Sequence, residues 1–401
     1  MTADTTAAPP RTPASATGLT VRLCRDPDRF ASLGPEWDRL HRRCRTATPF
    51  QTHAWLHSWW LSYGTPGRLR LLLAYRGNRL VGAAPLMMTY RPLPALVFIG
   101  GGISDYQDVL IDDGCAGAAA AGLAGGLHRA ARRSVVDLRE VRPGAAAERV
   151  VQLWRGPEKR LEDSICLELP GLPFDALMGR LPGPAARRSR AKVRKLDAVG
   201  IEYRGVPEPE VPEAVLAMLR LHRLQWQGRG VTPEHRRPRF AEHLVRAVGQ
   251  MATTGDAVVT EYRRGRQVVA IDVTLTSPDL AGGYLYGAHP DLRAAKADIN
   301  TMLLRHDADL AAESGRGVLS LLRGDEQYKH HWRPTAVTNQ RLLLAREEMA
   351  PALRLYAGRI AGRELLAEEA RSRFPALLMW RSRLNDWRAV PGRGTGRHPS
   401  S

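Results

Sequence analysis

The sequence predicts an α/β (α+β) fold made of two tandem units, each a mixed β-sheet flanked by helices. The 401-residue chain is long enough for two cores, and its 44% hydrophobic content is that of an ordinary globular protein. A strand-turn-strand pattern occurs twice, at residues 71–83 and 258–270. An Ala-rich helical segment follows each copy, at residues 117–133 and 299–314, and a further strand follows each helix. A repeat of one α/β unit explains these observations together.

The two strand-turn-strand copies share residues as well as pattern. Tyr75 and Tyr262 align, and each is followed by Arg, Arg, Val and Ala at matching positions. The predicted turns are Gly77-Asn78 in the first copy and Arg264-Gly265 in the second. Because the matched window is short, two unrelated hairpins remain the alternative. If the repeat is real, the two hairpins superpose.

Changes of composition along the chain predict where the units begin and end. Pro182-Gly183-Pro184 interrupts the chain between the two repeats, and a dense basic run follows it. Residues 213–227 continue as an amphipathic helix, because apolar residues recur there every three or four positions. The predicted organisation is a disordered tail at residues 1–18, a first unit at 19–170, a basic connector at 171–211, a second unit at 212–345, a helical extension at 346–390 and a flexible tail at 391–401.

Cysteine spacing and apolar runs exclude several classes of protein. The four cysteines are scattered without a CxxC pair, so neither a disulfide framework nor a zinc site is expected. His53 and His57 stand one helical turn apart, but no third ligand accompanies them, so no metal site is predicted. No apolar run reaches the length of a membrane span, and the first residues lack the apolar segment of a signal peptide. The sequence therefore predicts a cytoplasmic protein without a tightly bound cofactor.

The charge predicts a polyanionic partner. The 59 Lys and Arg residues exceed the 41 Asp and Glu residues, giving +18, and only five of the cations are lysines. A field of this sign attracts RNA, CoA phosphates or an anionic membrane surface, although a diffuse solvated surface is the alternative. The densest run lies in the connector, and its predicted nucleic-acid-binding residues are Arg187, Arg188, Arg190, Lys192, Arg194 and Lys195.

Residues 49–60 predict a helix that packs its aromatic side chains in the core. Thr52 is a suitable N-cap for this helix. Trp55, Trp59 and Trp60 follow at positions that share one helical face. Large aromatic side chains usually bury their area in the core, so we expect a structural role here.

A glycine-rich stretch at residues 100–108 carries the first candidate reactive group. Its three consecutive glycines allow a ligand to approach the backbone closely. Ser104, Asp105 and Tyr106 follow them, and the Asp105 carboxyl is able to orient or deprotonate an amine. A plain glycine-rich turn is the alternative interpretation.

Residues 322–332 form the second candidate segment, where a predicted strand ends at Gly324. Two acids, a phenol, a lysine, two histidines and a tryptophan follow within eight positions. The chain otherwise prefers arginine strongly, so Lys329 indicates a need for a compact ammonium group. A strand end held by structural salt bridges is the alternative.

These segments resemble the GNAT-type family of CelD-like, or cellulose-biosynthesis-type, acetyltransferases, whose fold is shared with Fem-type peptidoglycan aminoacyltransferases. The resemblance covers roughly residues 19–345. It rests on three blocks, in chain order: residues 49–60, Ser104-Asp105-Tyr106, and Gly324-x-Glu326-x-Tyr328-Lys329-x-x-Trp332. The helix with Leu221-His222-x-x-x-Trp226 and the basic connector fall in the same order as in such proteins. The resemblance implies a tandem GNAT fold and acyl transfer to an amine.

One departure from the family pattern bears on the acyl donor. Acetyl-CoA-binding GNAT proteins place a (Q/R)xxGx(G/A) loop before the long helix, where backbone N–H groups hold the pyrophosphate. Here Lys296 stands at the glycine position, and Asp298 puts a negative charge where a phosphate would lie. Fem-type relatives use aminoacyl-tRNA, which agrees with this loop and with the +18 charge. Aminoacyl-tRNA is therefore the expected donor, with an acyl-CoA thioester and an acyl-carrier protein as alternatives.

The expected reaction is direct attack of a small-molecule amine on the activated acyl carbonyl, because no Ser/His/Asp or Cys/His triad is recognisable. We expect Asp105 or Glu326 near the amine, and Tyr328 and Lys329 at the developing oxyanion or the donor phosphate. A non-catalytic RNA-binding module on the same scaffold is the alternative from another class. The resemblance and these segments give the predicted substrate-binding residues Ser104, Tyr106, His222, Trp226, Arg323 and Trp332.

Overall fold

The computed structural model describes residues 18–227 and 232–373, and the strands and helices below belong to that part. The strands are β1 (Leu19–Cys24), β2 (Leu69–Arg76), β3 (Arg79–Thr89), β4 (Ala95–Phe98), β5 (Leu110–Ile111), β6 (Val135–Val141), β7 (Glu158–Pro170), β8 (Ile201–Gly205), β9 (Ala257–Arg264), β10 (Gln267–Thr276), β11 (Leu280–Ala288), β12 (Val318–Arg323) and β13 (Thr335–Leu344). The helices are α1 (Pro27–Ser32), α2 (Gly34–Arg42), α3 (His53–Tyr63), α4 (Ala116–Ala130), α5 (Ala146–Val151), α6 (Phe174–Gly179), α7 (Gly183–Val199), α8 (Val211–Gln225), α9 (Pro238–Thr254), α10 (Pro290–Ala294), α11 (Ile299–Glu313), α12 (Gln327–His330) and α13 (Ala350–Arg373). The predicted tails, apart from Gly18, and residues 374–390 of the predicted extension lie outside the described residues.

These strands form one mixed sheet in which the two units exchange their last strands. The order is β1-β2-β3-β4-β6-β13-β7-β12-β11-β10-β9-β8, and β5 pairs with β3. Strand β7 ends the first unit but pairs with β12 of the second, and β13 ends the second unit but pairs with β6 of the first. The predicted α/β fold with two tandem units is confirmed, and the exchange joins them through a shared sheet.

Each unit contains one parallel strand pair that is connected by a long helix. In the first unit, β4 and β6 pair from Ala95 opposite Val135 to Val97 opposite Asp137, and α4 connects them. In the second, β11 and β12 pair from Leu280 opposite Val318 to Gly282 opposite Ser320, and α11 lies in the connection. Pairing in each case covers three residues, after which the strands no longer pair. The same local architecture therefore occurs in both units.

The two hairpins repeat in detail, but in a different alignment from the predicted one. Arg264 lies opposite Gln267, so the second turn is Gly265-Arg266, and the predicted Arg264-Gly265 is wrong by one residue. Gly77 and Gly265 both adopt a φ of 59°, a left-handed conformation that favours glycine. The strand register also skips Val81 in β3 and Val269 in β10, two equivalent positions after the turn. The two hairpins therefore align through their turn glycines and the skipped valines, and not through Tyr75 and Tyr262.

Helix α3 packs in the core, as the sequence predicts. Its N-cap Thr52 accepts a hydrogen bond from the backbone of Trp55, and the three tryptophans of the segment are buried. His53 and His57 stack on each other at 5.2 Å between ring centroids, and His53 bonds the carbonyl of Phe30. These histidines therefore have partners in the core. Helix α3 also contacts α9 of the second unit, which ties the two units together.

Candidate active site at the junction of the two units

A cleft of about 580 Å³ lies where the two units meet, and we refer to it as the junction cleft. It brings together three of the predicted site residues, Asp105, Arg323 and Glu326. The first unit contributes the glycine-rich loop, and the second contributes the end of β12 and the segment before α9. Its lining residues are Trp59, Tyr63, Gly101, Gly102, Ile103, Asp105, Thr232, Glu234, His235, Arg239, Tyr284, Leu285, Arg323 and Glu326.

Arg323 lines this cleft and lies between two carboxylates. One Nη atom is 3.0 Å from Asp105 Oδ1 and the other is 2.9 Å from Glu140 Oε1. Burial raises the pKa of the Asp105 carboxyl, and the positive charge of Arg323 opposes part of that rise. Asp105 is thus a partly desolvated carboxyl at the cleft, which is the environment of a proton acceptor. Sequence reasoning missed Glu140, which lies in β6 far from any recognised motif.

The exchanged strand β13 positions both carboxylates. Asn339 Nδ2 lies 3.0 Å from the Asp105 carbonyl oxygen and 3.1 Å from Glu140 Oε2. Ser164, in the other exchanged strand, also donates to Glu140 Oε2. The site therefore depends on residues from four strands, and only their assembly in one sheet brings them together.

The glycine-rich loop has a conformation that needs its glycines. Gly100 and Gly101 adopt φ values of 116° and 56°. A Cβ at Gly100 would come within 2.7 Å of Ser104 Oγ, and one at Gly101 within 3.1 Å of the Trp59 ring. A larger side chain would disturb the loop that carries Asp105 into the cleft.

Ser104 and Tyr106 lie in the core on either side of Asp105. Trp55 Nε1 donates to Ser104 Oγ at 2.9 Å, and Tyr106 Oη donates to Glu168 Oε1 at 2.9 Å. Both side chains are buried, with at most 1% of their surface exposed. The structure therefore gives these predicted substrate-binding residues protein partners, which hold the Asp105 loop in place.

Lys329 has partners for all three of its N–H donors inside the turn that follows β12. Its Nζ lies 3.1 Å from the Arg323 carbonyl oxygen, 3.3 Å from that of Gly324 and 2.7 Å from Glu326 Oε2. The side chain is buried, so this ammonium fixes the turn that presents Arg323 and Glu326 to the cleft. Trp332 is buried too and packs against Phe174 at 5.3 Å between ring centroids.

A smaller cavity of about 90 Å³ lies where β11 and β12 diverge, and we refer to it as the inter-strand cavity. Tyr328 lines it together with two buried carboxyls, Asp272 and Asp307. Burial and mutual repulsion raise the pKa of Asp272, and the two carboxyls share a hydrogen bond, which requires a proton on one of them. Thr274 Oγ1 donates to Asp307 Oδ1 at 2.6 Å. Sequence reasoning missed this pair, although Asp272 interrupts the apolar run of β10 and could have indicated a buried carboxyl.

His222 and His235 form a hydrogen-bonded chain that reaches the junction cleft. His222 Nδ1 lies 2.8 Å from the Tyr286 carbonyl oxygen, which only accepts, so Nδ1 carries the hydrogen. His222 Nε2 then accepts from His235 Nδ1 at 3.4 Å. Burial lowers the pKa of both rings, that of His235 to about 4, so both are neutral at pH 7. This chain leaves His235 Nε2 as a hydrogen-bond acceptor.

The second half of the predicted Leu221–Trp226 motif has a different environment. Trp226 Nε1 is buried and has no hydrogen-bond partner among the described residues. Its ring lies 6.3 Å from that of His222. Trp226 therefore packs beside the histidine chain rather than lining the junction cleft.

The N-terminus of α11 is occupied by the protein's own groups. Asp298 caps the helix by accepting from the backbone N–H of Thr301 at 2.9 Å, and its other oxygen is 2.6 Å from Lys192 Nζ. Lys296 adopts a φ of 53°, so the position of the family's glycine keeps a left-handed conformation. The remaining predicted cations of α7 are exposed, while Ala186, Ser189 and Leu196 form its buried face.

Comparisons with known proteins agree with this fold. Residues 185–330 match the family described as an acetyltransferase (GNAT) domain. FemX has a similar structure, with a TM-score of 0.56 and 12% identity over 77% of this chain and 95% of that one. L-PGS from Bacillus licheniformis has a TM-score of 0.51 and 11% identity, over 84% of this chain and 97% of that one. A conserved protein of unknown function from Bacteroides thetaiotaomicron VPI-5482 has a TM-score of 0.50 and 12% identity, over 82% of this chain and 100% of that one.

Among curated proteins, no sequence matches this chain significantly. None of the helices in the described ranges is both long enough and apolar enough to cross a membrane. The structural neighbours share little sequence with this chain, so they establish the fold. The acetyltransferase (GNAT) domain match covers residues 185–330, and the likeness to FemX extends the shared fold over 77% of the chain.

Proposed function

We propose that the protein joins an activated acyl group to the amine of a small molecule, with an aminoacyl-tRNA as donor. The observation that carries this proposal is the carboxyl of Asp105, which lies with Arg323 and Glu326 in the junction cleft. A carboxyl with a raised pKa is a better proton acceptor for an attacking amine than an ordinary aspartate. The cleft also has the size of a small-molecule site.

The proposed reaction balances as a direct acyl transfer. The amine nitrogen attacks the acyl carbon, a C–N bond forms, and the ester C–O bond to the terminal ribose of the tRNA breaks. Asp105 takes the proton that the amine loses and passes it to the departing ribose oxygen. Alignment of the two substrates contributes about 7–11 kcal/mol and a proton acceptor about 10²–10⁴-fold in rate.

Two further side chains have proposed roles on the donor side. Tyr328 lies at the inter-strand cavity with nearly half of its surface exposed, and burial of its ring raises the pKa of its hydroxyl, which stays protonated. Its hydroxyl is the proposed hydrogen-bond donor to the oxyanion. Lys329 supports this site by fixing the turn between Arg323 and Tyr328, so it acts as a positioning residue.

The position of Asp298 argues against a CoA donor that binds its pyrophosphate at the N-terminus of α11. A free helix N-terminus binds a pyrophosphate, because its backbone N–H groups are unpaired and its dipole favours an anion. Here the carboxylate of Asp298 already takes a backbone N–H and has Lys192 as its counter-ion. A pyrophosphate at this place would meet a like charge.

The exposed cations of α7 provide the proposed contact with the tRNA backbone. Replacing Arg187, Arg188, Arg190 and Arg194 with Ala should make the log–log salt dependence of tRNA binding shallower by about 3–4 units if all four contact phosphates. Filter binding at several salt concentrations measures this slope. An unchanged slope would remove α7 from the proposed tRNA site.

An acyl-CoA-dependent N-acetyltransferase of polysaccharide or natural-product biosynthesis is the second candidate. The observation that favours it is the match of residues 185–330 to an acetyltransferase domain family. In that case the CoA pyrophosphate would have to bind away from Asp298 or displace Lys192 from it.

The donor is tested by offering both kinds to the purified full-length protein. One reaction contains tRNA charged with ¹⁴C-labelled amino acids, another contains ¹⁴C-acetyl-CoA, and both contain a small-molecule fraction from the source cells as acceptor. Mild alkali then destroys residual ester, whereas an amide product survives. We expect alkali-stable label from the tRNA reaction only. Label from acetyl-CoA only would establish the second candidate, and RNA binding without transfer from either donor would indicate a non-catalytic RNA-binding module.

A further inference from the structure

A second cleft, of about 870 Å³, lies on the first unit at the opposite end of β4 from the Asp105 loop. Strands β2, β4 and β6 begin at this end of the sheet, and β1 and β13 finish there. We refer to it as the arginine cleft. The charged residues that line it are Arg25, Arg70, Arg129, Arg132, Arg133, Arg346 and a single carboxylate, Glu348.

Most of this positive charge is uncompensated. Glu348 pairs with Arg346 at 3.0 Å. Within residues 18–227 and 232–373, no carboxylate forms an ion pair with Arg25 or with the three arginines around the end of α4. The pKa of Arg70 is lowered, by burial first and then by the charge of Arg25. A cleft of one sign concentrates ligands of the opposite sign.

Compensation of a helix dipole explains only part of this cluster. Arg129, Arg132 and Arg133 lie at the C-terminal end of α4, where cations are favourable in any helix. Arg25, Arg70 and Arg346, however, come from the ends of other elements, namely β1, β2 and β13. Four separate elements therefore direct arginines to one cleft, which local helix stability does not require.

The cleft also offers an aromatic face and unsatisfied polar groups. Tyr90 lines it with 51% of its surface exposed, and the Arg68 guanidinium lies 3.9 Å from the centre of its ring. Ser134 and Arg346 line the cleft, and the Ser134 Oγ and Arg346 Nε atoms are buried. Neither atom has a hydrogen-bond partner among the described residues. Both atoms are closed to solvent, so a ligand in the cleft would first contact the exposed Tyr90 and the arginines.

We propose that the arginine cleft binds single-stranded RNA, with phosphates on the arginines and a base stacked near Tyr90. Arginine binds phosphate oxygens in a bidentate manner, and its plane stacks on aromatic rings and bases. A concave site that combines cations with an exposed aromatic ring is typical of proteins that bind single strands. The proposal concerns a site separate from the junction cleft, and it does not depend on the identity of the acyl donor.

The test measures binding of a fluorescent single-stranded RNA of about 12 nucleotides to the full-length protein. The variant Arg129→Ala/Arg132→Ala/Arg133→Ala is compared with Arg220→Ala/Arg264→Ala/Arg266→Ala, which removes the same charge from exposed positions of the second unit. We expect the first triple to weaken binding at least about tenfold and to make the salt dependence shallower by about 2 units, at roughly 0.7 per phosphate. The second-unit triple should change the affinity by less than about threefold.

Three further variants keep the test independent of folding defects and of net charge. Arg129→Lys/Arg132→Lys/Arg133→Lys conserves the charge but loses the planar fork, and we expect an intermediate loss of affinity. Tyr90→Ala should weaken binding by at least about fivefold, and Tyr90→Phe should not. Equal losses in the two alanine triples would overturn the proposal in favour of diffuse charge. Unchanged RNA binding, with a loss only for vesicles of anionic lipid, would overturn it in favour of a membrane contact.

Discussion

The two units contain the same parallel strand pair, but the space beyond the paired residues differs between them. In the first unit, the chain after β4 fills this space: the backbone N–H of Gln107 bonds the carbonyl of Glu140, and Tyr106 is buried beside it. In the second unit, the corresponding space contains the inter-strand cavity with Asp272 and Asp307. The space beyond the paired strands is therefore filled by protein in the first unit and is a cavity in the second.

The two units contribute different residues to the junction cleft. The filled opening of the first unit presents Asp105 to the junction cleft, and the second unit supplies Arg323 and Glu326 from the end of β12. The exchanged strands connect the two, because Asn339 in β13 bonds the backbone of Asp105. Each unit alone would lack part of the proposed site.

The largest effect that tests this division is expected for Arg323. Arg323→Gln removes the ion pair of Asp105 and leaves Glu140 with the more distant Arg139 at 4.0 Å, so it should lower the free energy of unfolding by about 3 kcal/mol. This is the low end of the range for buried pairs, because 30% of the Arg323 side chain is exposed. Denaturant unfolding measures the loss.

A matched control exists in the exposed pair of Arg305 with Asp197, whose side chains are 46% and 57% exposed. Arg305→Gln should cost less than about 1 kcal/mol. Equal losses in the two variants would mean that Arg323 is an ordinary surface cation, and the network at the junction would lose its importance.

Lys329 should have the next largest effect. Lys329→Ala should reduce transition-state stabilisation by about 2–4 kcal/mol in kcat/KM, because the turn that carries Arg323 and Glu326 loses its internal cation. Lys329→Arg should restore little, since a planar fork does not fit among two carbonyls and one carboxylate. Kinetics and thermal melting on both variants separate the effects. Activity within about threefold of the wild type for the alanine variant would exclude a positioning role.

Asp272 should have a smaller effect that depends on pH. In the folded chain, the Asp272–Asp307 pair holds a proton that the unfolded chain releases near pH 4. The folded state therefore binds more protons than the unfolded state, and the free energy of unfolding falls as the pH rises above that value. Asp272→Asn carries its hydrogens at every pH, so it should raise stability by about 1 kcal/mol at pH 8 and leave it nearly unchanged below pH 4. Exposed Asp291→Asn is the control, with an expected change within about 0.5 kcal/mol. A pH-independent effect of Asp272→Asn would contradict a shared proton.

Much of the architecture was predictable because it depends on local signals. The repeated hairpin, the long helices and the buried tryptophans of α3 follow from periodicity and propensity. The strand exchange did not follow, because a strand's own pattern does not specify which neighbour it pairs with. The second turn was misplaced by one residue because the alignment matched tyrosines, whereas the structure matches Gly77 with Gly265.

The candidate site was predictable only where its residues lie within a motif. Asp105, Arg323 and Glu326 were expected from two short segments, and they share one cleft. Glu140 and His235 were missed, because their relation to Arg323 and His222 exists only after folding. Lys329 was recognised as unusual, but its burial inside a turn depends on three-dimensional contacts that spacing alone does not specify.

The most direct test of the central claim is the pH dependence of kcat/KM for wild type and Asp105→Asn with the donor that supports transfer. In the wild type, we expect the rate to rise on the acid side as Asp105 loses its proton, at a pH above the ordinary aspartate value of about 3.9. In the variant, this acid limb should disappear and the rate should fall by about 10²–10⁴-fold, while the alkaline limb that reports the amine remains. A variant that keeps the acid limb, with a rate within about threefold of the wild type, would contradict Asp105 as the proton acceptor.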